Sequence, residues 1–190
     1  MDHNFQIRLI DVTKKNFVMG SKAGDEVLNH LSSSVNGPVN ALEISLENMT
    51  AFDACFVRNG IAAFAKLNSK QIGTIITNVE NVDVLENLLY GFHAKQMPLL
   101  IKNNDGTGSI YGDLSSGGKE VLSFVYSKKQ TTTSELSHFL DISSPNASSK
   151  LKKLFNQGYI HAYKQDAISG GIEYVYTPFF KCTALECFNI

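Results

Sequence analysis

Proline occurs four times and cysteine three times in the 190 residues. So few prolines exclude a Pro-rich linker protein. An odd number of cysteines in a chain this long argues against a disulfide framework and for a reducing, cytoplasmic compartment. No apolar run approaches the ~18 residues that a membrane span requires. Asp2, His3, Asn4, Gln6 and Arg8 make residues 1–12 too polar for a signal peptide. Motifs of chemistry are missing too: there is no Walker loop, GxSxG elbow or HExxH. His3, His30, His93, His138 and His161 are scattered without metal-ligand spacing, and nothing around Cys182 and Cys187 completes a zinc site, so packing roles are expected for both cysteines. Asp83 and Glu86 read as capping and solvation residues of a helix surface rather than an acid/base pair. The chain is therefore expected to be no enzyme and to hold no metal or cofactor.

What is present is a globular composition. Hydrophobic residues make up 43% of the chain, enough for one or two small domains with cores of their own. The net charge of −1 hides an asymmetry. Residues 128–164 carry six lysines against Glu135 and Asp141, a local charge of +4, which leaves −5 for the remainder. A basic segment tethered to an acidic one is the electrostatic footprint of a nucleic-acid-binding module.

Residues 102–118 read KNNDGTGSIYGDLSSGG, the longest stretch rich in turn-forming residues. The boundary is placed here, with residues 105–118 as a protease-sensitive linker and residues 1–104 folding independently. GTGSIYG is a near miss to a dinucleotide fingerprint, because Tyr111 stands where the third glycine belongs. Before the linker, strands are expected at Gln6–Val12, Ala41–Leu46, Ile72–Thr77 and Pro98–Ile101. Helices are expected over Ser21–Leu31 with Ser21 as N-cap, from Asp53 to about Leu67, and after Asn81 or Asp83. Their alternation implies an α/β layer with crossover connections. Cys55 near a helix start is expected to be a small buried hydrophobe.

After the linker the pattern changes to three helices followed by two strands, an α+β arrangement. Residues 119–126 carry a broad apolar face. Residues 133–142 place Leu136, Phe139 and Leu140 inward. Ser144-Pro145 opens a third helix with Ala147, Leu151, Leu154 and Phe155 inward, ended by Gly158 in the left-handed conformation. Runs at Tyr159–Lys164 and Ile172–Thr177 flank Gly170-Gly171, as a hairpin would. The apolar tail PFFKCTALECF is expected either to pair with a second copy or to pack on its own domain.

SELSHFLDISSPNASSKLKKLFNQGYIHAYK, with its GG-containing wing and closing YVYTP, resembles the winged helix-turn-helix domains of bacterial transcription regulators of the MarR type. The resemblance implies a domain over residues 119–190 that reads duplex DNA, with its third helix in the major groove. Asn146, Ser148, Ser149, Lys150, Lys152 and Lys153 are short polar or basic residues suited to bases and phosphates, and Thr133 and Lys164 join them. The strand ALEISLENM followed by TAFDACFVRNG resembles a STAS-like domain, the fold of anti-sigma factor antagonists. That likeness implies an interaction domain with Asp53, Ala54 and Cys55 at the partner-facing helix start. In phosphorylated members a serine follows the aspartate; Ala54 stands there, so no phosphorylation switch is carried over. The two expectations are a homodimeric or partner-bound DNA-binding regulator and, alternatively, an adaptor that binds a regulatory protein without touching DNA.

Overall fold

Residues 4–167 and 170–186 are described by a computed structural model of the chain. Short runs of β-branched and aliphatic residues build a six-stranded sheet. Strands β1 (Asn4–Arg8), β3 (Ala41–Ser45), β5 (Gly73–Thr77) and β6 (Leu99–Lys102) lie side by side and parallel. They are joined through helices α1 (Leu9–Thr13), α2 (Gly20–Ser34), α3 (Ala54–Asn59), α4 (Ile61–Asn68) and α5 (Val82–Ala94), and a small parallel ribbon pairs β2 (Phe17–Val18) with β4 (Ala51–Phe52). Successive strands are added in one direction, so right-handed crossovers bring the helices to a single face. Leu42, Ile44, Ile76, Leu99 and Ile101 line that face and pack with Val27, Leu31, Phe56, Phe64, Leu88 and Phe92.

One-directional winding leaves the second sheet face bare, and the rest of the chain covers it. Ala41, Ile75, Leu100 and Ile110 belong to a second core with Val121, Leu122, Val125, Leu151, Leu154 and Tyr176. These come from α6 (Ser116–Tyr126), α7 (Thr133–Leu140), α8 (Ser144–Asn156) and a three-stranded antiparallel sheet of order β8 (Thr131–Thr132), β10 (Ile172–Thr177), β9 (His161–Asp166). The architecture is thus a mixed α/β fold, with helices on both sides of a partly antiparallel sheet.

The expected linker is the largest correction. Thr107–Tyr111 forms strand β7, antiparallel to β6 and parallel to the tail strand β11 (Lys181–Glu186). Its turn residues build the β6–β7 hairpin, where the Asp105 carboxylate accepts from the Thr107 N–H at 2.9 Å and hydroxyl at 2.6 Å. The tail therefore completes the sheet of the first half instead of remaining on the second. Two glycines admit it. A Cβ at Gly73 would lie 2.2 Å from the Phe179 ring, and one at Gly108 would lie 2.7 Å from the Phe180 ring, so aromatic rings from the second half sit directly on the strands.

Other expectations shift more locally. The strand expected over Gln6–Val12 stops at Arg8. Leu9 turns fully inward at the start of α1, with Arg8 and Asp11 paired across its first turn. The helix expected from Asp53 to Leu67 is broken at Gly60, where α2 crosses so closely that a Cβ on Gly24 would stand 2.7 Å from the Phe56 carbonyl oxygen. Ser21 is not the N-cap of α2, which starts at Gly20 after Met19. Asn81 does cap α5, accepting from the Asp83 N–H at 2.8 Å.

Candidate nucleic-acid interface

The sequence TTTSEL starts α7 with reciprocal hydrogen bonds. The Thr132 hydroxyl accepts from the Glu135 N–H at 3.3 Å, and the Glu135 carboxylate accepts from the Thr132 N–H at 2.9 Å and the Thr131 hydroxyl at 2.8 Å. Such a capping box satisfies two orphan donors at once. Thr133 is the first residue of α7 and is half-buried. Asp141 then adopts φ +52°, and the Ile142 N–H donates to the Ser137 carbonyl, which turns the chain within three residues into α8.

In α8 the expected inward stripe is found: Ala147, Leu151 and Leu154 are buried, with Phe155 packed beside them. The N-cap is Ser143 rather than Ser144, and Pro145 sits in the first turn, where its missing N–H costs nothing. At the other end Gly158 takes φ +81°, its N–H donating to Phe155 and that of Tyr159 to Leu154. This double bond pattern closes the helix and delivers Tyr159 to the core. Tyr159 and Ile160 are therefore core residues, and the strand expected from Tyr159 starts at His161.

The opposite face of α8 is polar. Asn146, Ser149, Lys152 and Lys153 are exposed, whereas Ser148 and Lys150 flank the buried stripe and are partly covered. Lys150 and Lys153 border a crevice of about 100 Å³ beside Ser115 and Gly117 at the start of α6. Lys164 is exposed on β9, its ammonium 5.6 Å from the centre of the Tyr174 ring on the neighbouring strand. One expected core residue is displaced. Phe139 is 57% exposed and stacks on Phe124 with ring centres 4.4 Å apart, so α7 keeps an aromatic on its surface.

At the expected partner site, Asp53 is committed within the fold. Its Oδ1 accepts from the Phe56 N–H at 2.8 Å, capping α3, and from the Gly20 N–H at 3.0 Å, holding the start of α2. The helix start expected to face a partner is thus capped by this chain's own carboxylate. Ala54 is half-buried, and Cys55 is exposed, not buried as expected, because it lies on the outer side of the first turn of α3. Phe17 on the β2–β4 ribbon and Met19 at the start of α2 are 54% and 57% exposed. Sequence reasoning did not single them out, since nothing in FVM separates an exposed edge from a buried one.

Burial raises the Cys182 thiol pKa, although the Ala184 carbonyl accepts its S–H at 3.1 Å. Cys187 lies outside the described residues. Among the described residues no group of three or more His, Cys, Asp or Glu side chains is arranged to hold a metal ion, and no helix is long and apolar enough to cross a membrane. Compared with protein-family models and with curated proteins, the chain matches none.

Proposed function

We propose that this chain is a DNA-binding transcriptional regulator of the cytoplasm, with no catalytic activity, whose helix α8 enters the major groove of duplex DNA. The observation that carries the reading is the split of α8 into a buried apolar stripe and an exposed face of Asn146, Ser149, Lys152 and Lys153. The order α6, β8, α7, α8, β9, β10, with the short β8 paired to β10, supports the winged-helix resemblance. Short side chains near the start of a helix suit base edges, and lysines suit phosphates. In this reading two copies bind half-sites about 34 Å apart, and the acidic sheet domain, STAS-like by resemblance, mediates assembly.

The test compares two sets of substitutions on one helix face. The double change Asn146→Ala and Ser149→Ala is expected to lower preference for a selected site by ~5- to 150-fold, the equivalent of losing one good base contact. Lys152→Ala or Lys153→Ala is expected to weaken every duplex equally and to lower the salt slope by about one unit per lost phosphate contact. Neither set touches the buried stripe, so the melting temperature should hold. Wild-type protein with no salt-sensitive affinity for any duplex would reject the reading. It would favour the adaptor instead, for which the exposed Phe17 and Met19 supply apolar contacts.

A further inference from the structure

A second surface differs from α8 in both position and chemistry. In the β9–β10 hairpin, Ala162 and Tyr176 are register partners and point into the core shared with Leu151 and Leu154. Side chains alternate across a strand, so the next pair, His161 and Thr177, faces away from α8. There they border a groove of about 880 Å³. Its apolar wall comes from Pro178, Phe179 and Phe180, with Tyr163 at one side, where its hydroxyl donates to the Gln130 side-chain carbonyl at 3.2 Å. Phe179 is only partly buried and leans on Gly73 of the central sheet, which leaves part of its ring facing the groove.

The rim is basic. Lys128 and Lys129 reach it from the α6–β8 loop and Lys181 from the start of β11, and no carboxylate borders the groove among the described residues. None of the three lysines has an acid within 4.0 Å among those residues. Asp105, which feels the charge of Lys181, gives its carboxylate to the Thr107 N–H and hydroxyl. All three lysines are exposed, with Lys128 Nζ lying 5.8 Å from the centre of the Phe124 ring, which is outside the groove lining. Small-molecule sites have volumes of ~300–1,000 Å³ and combine apolar walls with a few polar anchors. Aromatic faces accept flat rings, and ammonium groups accept phosphate oxygens.

We propose that this groove binds a nucleotide, its base against the Phe179 and Tyr163 rings and its phosphates on Lys128, Lys129 and Lys181. The proposal does not depend on α8 reading DNA. The test uses the full chain and N-methylanthraniloyl-ATP, followed by fluorescence anisotropy, with unlabelled ATP, inorganic tripolyphosphate and polyglutamate as competitors. Saturable binding is expected, with ATP competing at least ~10-fold better than tripolyphosphate because the phosphate chain alone leaves the rings uncovered. The double change Lys128→Glu and Lys181→Glu, and independently Lys129→Glu, should weaken binding ~10-fold or more with the thermal midpoint unmoved. Lys152→Glu with Lys153→Glu on α8 should leave it unchanged. Absence of saturable binding at millimolar nucleotide overturns the proposal, as does equal competition by tripolyphosphate or better competition by polyglutamate. Equal weakening by the α8 substitutions would move the site elsewhere and likewise reject it.

Discussion

Asp53 Oδ1 accepts hydrogen bonds from two backbone N–H groups that stand at the starts of α2 and α3, one of them 33 residues away in sequence. Replacing it with alanine leaves both donors without this acceptor. Loss of a helix cap costs ~0.5–2 kcal/mol, and two starts depend on this one. Asp53→Ala is therefore expected to lower unfolding free energy by about 1–3 kcal/mol in urea denaturation, with Asp53→Asn recovering much of the loss because its carbonyl still accepts. A loss no larger than that of an exposed alanine substitution would contradict the double-cap assignment. Tyr126 carries a second prediction at this scale. Its hydroxyl donates to the Tyr159 carbonyl at 2.9 Å, and burial pushes the phenol pKa far above the ordinary value of 10.0. The folded chain thus keeps a proton that the unfolded chain releases near pH 10. The stabilisation is complete below that pH and is lost as pH rises above it toward the folded value. Melting temperature should be insensitive to this group from pH 7 to 9 and fall from about pH 10 upward. A Tyr126→Phe variant, less stable at neutral pH, should show a shallower alkaline fall.

Among elements, the strands show why sequence patterns read differently once a sheet is covered on both faces. Ala41–Ser45 alternates in a way that suggests one wet face, yet all five residues are buried. Glu43 is held there by accepting from Lys102 Nζ at 2.6 Å and Asn4 Nδ2 at 3.0 Å. β7 offers a direct test of the close approach that docks the tail. A Cβ at Gly108 would stand 2.2 Å from the Ile101 carbonyl oxygen and 2.7 Å from the Phe180 ring, and the backbone neighbour has little room to yield. Gly108→Ala is expected to destabilise by ~1–3 kcal/mol, the usual range for overpacking. Calorimetry of that variant beside Gly106→Ser, where nothing lies within 4 Å but a φ of +80° strains any side chain, separates crowding from backbone strain in the hairpin. Equal midpoints for Gly108→Ala and wild type would mean that the tail does not seat as described.

For the whole molecule, the two cores meet at one sheet, and this changes what truncation should do. A fragment of residues 1–104 lacks β7, β11 and every helix of the second half. It would present Ala41, Ile75 and Leu100 to water on a sheet with an unpaired β6 edge. Such a fragment is expected to aggregate or to bind a hydrophobic dye, whereas the full chain should resist proteolysis across Thr107–Tyr111. A soluble monomeric fragment with a cooperative melt would restore the independent domain that the sequence suggested.

Local signals were legible wherever a residue's own chemistry or a short period decides the outcome. Asn81 caps α5, Gly158 closes α8 in the left-handed conformation, and the stripe Ala147, Leu151 and Leu154 faces inward as its spacing required. The polar face of α8 followed from the same periodicity, so the candidate site was readable as a helix surface. Non-local matters were not readable. Turn-rich composition made residues 105–118 look like a linker, because nothing in GTGSIY reveals that β6 and β11 lie on either side of it. The commitment of Asp53 to Gly20, the exposure of Phe139 and the convergence of Lys128, Lys129 and Lys181 on one groove also depend on partners distant in sequence. Capping and helical periodicity act within about two turns of chain, so sequence alone determines them. Which strand covers which edge, and which face meets water, is decided by burying the second sheet face, and only the tertiary structure sets that.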